Sequence, residues 1–245
     1  MLTNIHRKHI FGNLEGLAYE TTVSKVVSFV EKYLIVFSNE FAGSLIVNEK
    51  GLTQMLCILL NKNARDGGYP FHFEKEFMEE VERGDSPQVD IGVVYYETET
   101  ESIDTQYYSS RGAFFAMEAK RLDKISTTRE KEYLIGRQEK DSYIHCGGVE
   151  RFKNEIHGKG LRYACVIGYV QKYDFDYWHH SINSWIDSLI EGKILSSVKW
   201  SEKDKLVQEY KLSHTAKFKS ENSRTSGSIL LFHLWVNLIN TPTNI

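Results

Sequence analysis

The sequence predicts an α/β protein with a mixed central sheet flanked by helices. Three observations support this class: helical periodicity near the start of the chain, three runs of strand length in its middle, and another strand after a further helical stretch. A strand that follows a helix indicates a crossover connection and a parallel pair. At 245 residues the chain has the length of one domain, so residues 1–245 are expected to form a single domain.

Composition favours a folded, soluble, cytoplasmic protein. The chain is 41% hydrophobic and 26% charged, which is within the globular range. Residues 1–16 lack the apolar run of a secretory signal, and the longest apolar stretch, 229–238, is too short to cross a membrane. The cysteines are three in number and irregularly spaced, which argues against a disulfide framework and fits a reducing compartment. No membrane partner is expected.

Two helices are predicted ahead of the first strand. Apolar residues recur at helical spacing over residues 22–37, which indicates an amphipathic N-terminal helix. A second helix is expected to begin after Asn48, a residue type that caps helix N-termini, and to end at the turn signal over residues 66–68. Glu49 then lies in the first turn of this second helix.

Three strands are expected next, because the chain becomes rich in β-branched and aromatic residues. The polar stretch 97–110 is expected to be a loop or hairpin between the second strand and the third. The predicted strands cover residues 71–78, 89–96 and 113–119.

The second half of the chain is predicted to return to the same sheet. Residues 128–157 are expected to be helical with a break at Gly147 and Gly148, followed by a strand over 161–170. Residues 174–240 are expected to form a C-terminal extension of one helix and a β-hairpin. Its predicted parts are a helix over 175–189, strands over 206–216 and 229–238, and a turn-rich stretch over 219–227.

Charged side chains at two predicted strand ends indicate a functional site. Side chains alternate along a strand, so Glu118 and Lys120 project from one face while Ala119 points away. Residues 114–117 are apolar, and a carboxylate and an amine at the end of a buried strand are costly to desolvate unless they pair or bind a metal. Asp90 heads the apolar run of the preceding strand, and paired strands lie about 5 Å apart, close enough for two carboxylates to share one cation.

This order of residues resembles the core of the PD-(D/E)XK nuclease superfamily, which includes restriction endonucleases and phage-defence nucleases. The resemblance covers residues 45–171 and implies a restriction-endonuclease-like αβββαβ core. The residues that carry it are Glu49 on a helix, Asp90 three positions after Pro87, the triplet Glu118-Ala119-Lys120, and the Gly-Gly-x-x-Arg-Phe stretch at residues 147–152.

The resemblance also implies a site and an activity. Asp90, Glu118, Glu49 and the carbonyl of Ala119 would bind Mg²⁺, with Mn²⁺ as a substitute, and Lys120 would be the catalytic lysine. Such a site belongs to a metal-dependent endonuclease that hydrolyses phosphodiester bonds in DNA. The implied setting is bacterial restriction or phage defence, as a homodimer or with a defence-system partner protein.

The charge distribution indicates the side from which nucleic acid would approach. The formal net charge is −3, which is unfavourable for phosphate binding. Residues 74–104 carry eleven acidic against two basic residues, whereas residues 120–162 carry eleven basic against seven acidic residues. Contacts with nucleic acid are therefore expected from basic residues of the second segment, namely Arg121, Arg137, Arg151 and Lys153.

Each of these interpretations has a simpler alternative. Asp90, Glu118 and Lys120 could form a degenerate site that binds without cleaving, or an ordinary salt-bridged strand end. Glu49 could serve only the helix dipole, and Arg151 could extend from its helix toward solvent without a ligand. A different class of function is a partner-dependent adaptor subunit with a silent site, for which the near-neutral charge argues.

Overall fold

The structure describes most of the chain, including residues 45 and 171 at the two ends of the predicted core. The start of the chain and the predicted loop at 97–110 lie outside the described residues, and side chains are described from residue 19 onward. The computed structural model describes residues 12–79, 86–95, 112–123, 129–140 and 142–239.

A mixed seven-stranded sheet forms the centre of the fold. In their order across the sheet, its strands are β1 (Phe71–Met78), β2 (Gln88–Tyr95), β3 (Phe115–Leu122), β6 (Tyr163–Val170), β9 (Gly227–Asn237), β8 (Thr215–Arg224) and β7 (Val207–Lys211). A separate hairpin contains β4 (Arg137–Glu139) and β5 (Ser142–Ile144). β6 is parallel to β3 and β9, and the other neighbours are antiparallel. The predicted α/β class with a mixed sheet is confirmed.

Along the chain, two helices come before the first strand, a short one comes before β6 and another comes after β6. The described α-helices are α1 (Gly12–Phe41), α2 (Glu49–Asp66), α3 (Gly148–Lys153) and α4 (Phe175–Ile190). α1 is longer than predicted, whereas α2 begins where the sequence indicates. The side chain of Asn48 accepts a hydrogen bond of 2.7 Å from the backbone N of Gly51, which is the geometry of an N-cap. None of the described helices has the length and apolar character needed to cross a bilayer.

Both faces of the sheet are covered. On one face α1 and α2 pack against apolar side chains that include Phe73 and Met117. On the other face α4 packs against apolar side chains that include Trp235 of β9. Parallel strands that are covered on both faces consist of near-continuous apolar runs, and β3 and β6 are buried along most of their length. Charged residues on β3 consequently lie in a largely dry environment.

The prediction of a broken helix over residues 128–157 is wrong for most of that range. The hairpin of β4 and β5 occupies its middle, and among the described residues of the range only those of α3 are helical. A Cβ on Gly136 would lie 2.1 Å from the carbonyl oxygen of Ile144, and a Cβ on Gly147 would lie 2.2 Å from the backbone of Ile135. Glycine alone permits such close backbone contacts, so the segment folds back on itself instead of continuing a helix.

The C-terminal extension joins the sheet as predicted, but with different strand boundaries. The predicted helix over 175–189 corresponds to α4, and β9 pairs with β6. The predicted strand over 206–216 ends early, because β7 stops at Lys211. The predicted turn-rich stretch 219–227 is mostly strand, since β8 runs through it to Arg224. The extension is therefore a three-stranded meander and not a simple hairpin.

Candidate active site at the end of strand β3

The C-terminal half of β3, residues 118–122, is called the strand end here; it lies beyond Met117, the last residue that β3 pairs with β2. It brings a buried carboxylate against a buried amine. Glu118 is fully buried and Lys120 is 8% exposed. Both side chains lie on one face of the strand, and the Nζ atom of Lys120 is 2.9 Å from Oε1 of Glu118. Gly148 of α3 leaves room for this contact, because a Cβ there would lie 3.2 Å from Cγ of Lys120. The strand end thus holds an ion pair inside the core.

Asp90 reaches the same strand end from β2. The antiparallel register of β2 and β3 pairs Ile91 with Met117, and Asp90 is the preceding residue of β2. The Oδ2 atom of Asp90 accepts a hydrogen bond of 2.8 Å from the backbone N of Ala119. This bond holds the Asp90 carboxylate in the neighbourhood of Glu118.

Glu49, the first residue of α2, is the third carboxylate at this strand end. Its Oε2 accepts a hydrogen bond of 3.1 Å from the backbone N of Arg121, and its Oε1 lies 3.5 Å from Nζ of Lys120. A carboxylate in the first turn of a helix also interacts favourably with the helix dipole. The structure therefore brings together Glu49, Asp90, Glu118 and Lys120, which are far apart in the sequence.

The electrostatic environment treats the two strand carboxylates differently. Burial and the negative charge of Glu118 raise the pKa of Asp90 from 3.8 to about 7. Burial alone would raise the pKa of Glu118, but the positive charges of Lys120, of a protonated His157 and of Arg151 outweigh burial and lower it. Burial would lower the pKa of Lys120, yet the negative charges of Glu118 and Glu49 raise it. Glu118 and Lys120 are therefore charged, and Asp90 titrates near neutral pH.

We expect Asp90→Asn to stabilise the metal-free protein at pH 8 and to leave its stability unchanged at pH 4. A folded-state pKa near 7 means that the folded protein favours the protonated form of Asp90. The stability that this gives is fully present below pH 3.8 and is lost as the pH rises to about 7. The expected gain is about 2 kcal/mol, half of what about 1.4 kcal/mol per pKa unit implies, because partial exposure screens the charge. Urea unfolding in EDTA at both pH values measures it. An equal difference at pH 4 and pH 8 would contradict the shifted pKa.

A second group of side chains surrounds Glu118 next to α3. The Nη1 atom of Arg151 donates a 3.0 Å hydrogen bond to Oε1 of Glu118, and its Nε donates a 2.8 Å bond to the carbonyl of His145. His157 is buried, with Nε2 at 3.7 Å from Oε2 of Glu118 and Nδ1 at 3.0 Å from a carboxylate oxygen of Glu79. The sequence analysis missed His157 and Glu79, since no spacing connects them with Glu118.

The predicted nucleic-acid contacts divide into two kinds. The side chains of Arg121, Arg137 and Arg151 are 20%, 30% and 27% exposed, so solvent reaches them although each also forms an ion pair. The side chain of Lys153 is 1% exposed, and its Nζ lies 2.5 Å from Oδ1 of Asp204. The prediction that Lys153 contacts nucleic acid is wrong, because a buried amine that is already paired has no access to a phosphate.

Glu150 is a buried residue of α3 that the sequence analysis also missed. Its carboxylate accepts 2.8 Å hydrogen bonds from the backbone N of Gly136 and from the hydroxyl of Tyr143. It accepts further bonds of 2.9–3.1 Å from Ser196 and Ser197. These bonds join α3 to the β4–β5 hairpin and to the segment after α4. The next residue of α3 is Arg151, so these bonds also help to hold its guanidinium at the strand end.

The charges at the strand end fit a divalent cation in two respects. The Oε2 atom of Glu118 is buried and has no hydrogen-bond partner among the described residues, and the pKa of Asp90 is raised partly by repulsion from Glu118. A cation would satisfy the oxygen and relieve the repulsion. Within the described ranges no three His, Cys, Asp or Glu side chains are grouped so that they could hold a metal. Mg²⁺, however, commonly uses one or two carboxylates and several waters.

Comparison with known proteins adds no family to this description. No protein-family model matches the chain, and neither a curated protein nor a solved structure matches it. The resemblance to PD-(D/E)XK nucleases accordingly stays a prediction. The chemistry of the side chains at the end of β3 is the basis on which a function is proposed.

Proposed function

We propose that this chain is a metal-dependent endonuclease that hydrolyses phosphodiester bonds in DNA, with Asp90, Glu118 and Lys120 at its centre. The single observation that carries the proposal is the meeting of these side chains at the end of β3. Two carboxylates from neighbouring strands and one amine form a mostly buried charged group there. Such groups are costly to bury and are concentrated at functional sites.

Asp90 and Glu118 would hold the divalent ion, which we take to be Mg²⁺ with Mn²⁺ as a substitute. Glu49 and the carbonyl of Ala119 complete the proposed set of ligands; the carboxylates would have to move together to bind the ion, because in the described structure no three of them are grouped for a metal. The ion, when bound, supplies Lewis-acid chemistry: it lowers the pKa of a bound water and neutralises charge on a phosphate. The partnerless oxygen of Glu118 and the repulsion felt by Asp90 support this placement.

Lys120 contributes a fixed positive charge to the proposed reaction. Its Nζ lies between Glu118, at 2.9 Å, and Glu49, at 3.5 Å. These carboxylates raise the pKa of Lys120, so the amine is protonated in the metal-free protein. A protonated amine donates hydrogen bonds, and it would orient a water or stabilise charge on a phosphate oxygen. The exposed parts of Arg121, Arg137 and Arg151 would contact the DNA backbone.

A cleavage assay tests the proposal. Purified protein is incubated with supercoiled plasmid and with linear DNA in Mg²⁺, in Mn²⁺ and in EDTA. We expect cleavage that requires the metal and that falls at least about 100-fold in Asp90→Ala and in Lys120→Ala. Lys203→Ala, an exposed lysine that pairs with Glu221, is the matched control and should cleave like the wild type. Undiminished cleavage by Asp90→Ala and Lys120→Ala would remove the proposal.

A second candidate is a catalytically silent adaptor subunit that binds nucleic acid or a defence-system partner. The observation that favours it is the saturation of one oxygen of Glu118, which contacts both Lys120 and Arg151. A degenerate site of this kind would be held together by its own ion pairs. Calorimetry with Mg²⁺ and Mn²⁺ separates the candidates, because an adaptor of this kind binds neither ion. With the nuclease function we also propose that the protein acts in bacterial restriction or phage defence and that it forms a homodimer.

A further inference from the structure

His157 is held by a carboxylate on one side of its ring. Its side chain is 1% exposed. The Nδ1 atom lies 3.0 Å from Oε2 of Glu79, whose other oxygen accepts a 2.7 Å hydrogen bond from the backbone N of Gly158. A carboxylate that orients a histidine through one ring nitrogen is the arrangement that commonly supports histidine ligands of metals.

The contacts of His157 determine which ring nitrogen has a lone pair. A carboxylate accepts hydrogen bonds, so Nδ1 donates its hydrogen to Glu79. A guanidinium only donates, and Nη1 of Arg151 lies 3.2 Å from Nε2. In the neutral ring Nε2 is therefore the acceptor, and it faces the group of charges around Glu118.

In the neutral form of the ring that a metal would bind, Nε2 of His157 and Oε2 of Glu118 are two acceptors that face each other. They lie 3.7 Å apart, and Oε2 of Glu118 is buried with no hydrogen bond from any residue that the structure describes. Two ligand atoms that are each about 2.1 Å from one metal ion lie no more than about 4.2 Å apart. The separation of these two atoms thus suits one shared cation. In the metal-free protein the guanidinium of Arg151 contacts both Glu118 and His157, so it supplies the positive charge between them.

We infer that His157 is a further metal ligand of the candidate site, that it acts together with Glu118, and that the guanidinium of Arg151 moves outward when the ion binds. The inference rests on the proposed function. The side chain of Arg151 is 27% exposed, so its guanidinium has access to solvent. An imidazole ligand beside a carboxylate favours transition metals such as Mn²⁺ over Mg²⁺, which prefers oxygen ligands. Glu118 and His157 would supply two of the ligand atoms, and the other positions would be taken by Asp90, water and phosphate oxygens.

Pulsed electron paramagnetic resonance on the full chain loaded with Mn²⁺ tests this inference. We expect magnetic coupling between Mn²⁺ and an imidazole nitrogen in the wild type. The coupling should disappear in His157→Asn, whose amide can still donate to Glu79 but offers no ring nitrogen. Calorimetry should show Mn²⁺ affinity reduced about tenfold or more in that variant. His180→Asn, at an exposed position of α4, should keep both the coupling and the affinity.

The outcomes separate this inference from the proposed function. Unfolding of each metal-free variant is measured first, so that a misfolded variant is recognised, and Glu118→Gln tests whether the ion is at the strand end. Mn²⁺ that binds, is weakened by Glu118→Gln and shows no nitrogen coupling would overturn the role of His157 and leave the nuclease proposal standing. Absence of Mn²⁺ binding, or binding that Glu118→Gln does not weaken, would overturn both.

Discussion

Glu118→Gln is expected to lower the free energy of unfolding by about 3–5 kcal/mol at pH 7, the range for breaking one side of a buried ion pair. The substitution keeps the size of the side chain but removes the charge that lies 2.9 Å from Lys120 and 3.0 Å from Arg151. Lys120 is buried and cannot move its amine into water without disturbing the strand end. Arg151 is partly exposed and loses less, so most of the expected cost comes from the stranded amine.

Urea unfolding in EDTA measures this cost, and a second substitution identifies its cause. Glu118→Gln combined with Lys120→Met removes both charges, and the double variant should be more stable than Glu118→Gln alone. Glu221→Gln, in an exposed pair with Lys203, is the matched control and should change stability by less than about 1 kcal/mol. If Glu118→Gln is as stable as the wild type, the carboxylate does not neutralise the amine in the way described.

Local pattern was sufficient to predict the strand that carries the candidate site. β3 is apolar for several residues and then presents Glu118 and Lys120 at alternating positions, so the sequence itself shows that charges enter a buried strand. The N-cap residue Asn48 likewise indicated where α2 begins and hence where Glu49 lies. Asp90 was found because it precedes an apolar run on the neighbouring strand. Each of these features depends on contacts between residues that are close in the sequence or on simple strand pairing.

Features that depend on distant polar contacts could not be predicted in this way. β8 alternates between buried and exposed residues, but its buried positions include Ser220 and Asn222. Ser220 is bonded to His233 at 2.9 Å and accepts a hydrogen bond of 2.7 Å from the side-chain nitrogen of Asn222. A strand whose inward positions are polar has no hydrophobic period, so the sequence favoured a turn. Lys153 was misjudged for the same reason, because its partner Asp204 is remote in the sequence.

Glu150 shows how a residue outside the charged group can determine its geometry. Glu150 belongs to the Gly-Gly-x-x-Arg-Phe stretch, but in that stretch only Arg151 was predicted to be functional. Its carboxylate collects hydrogen bonds from the β4–β5 hairpin and from the segment after α4. α3 has only six residues and no side-chain cap. A helix this short gains little stability by itself, so Glu150, together with the buried pair of Lys153 and Asp204, helps to hold Arg151 against Glu118.

Glu150→Ala is expected to lower the free energy of unfolding by about 2–3 kcal/mol, because the lost acceptor leaves one buried donor unpaired, at about 1–3 kcal/mol, and removes bonds to part-buried donors. The buried backbone N of Gly136 loses its partner entirely, whereas the hydroxyls of the exposed Ser197 and of the half-buried Tyr143 can turn to water. Urea unfolding measures the loss, and hydrogen exchange should become faster at Gly136. Glu150→Gln should fall between Ala and wild type, and the exposed Glu40→Ala should stay within about 0.5 kcal/mol. A stable Glu150→Ala protein with unchanged exchange at Gly136 would show that α3 is held by its apolar contacts and that Arg151 is positioned without this carboxylate.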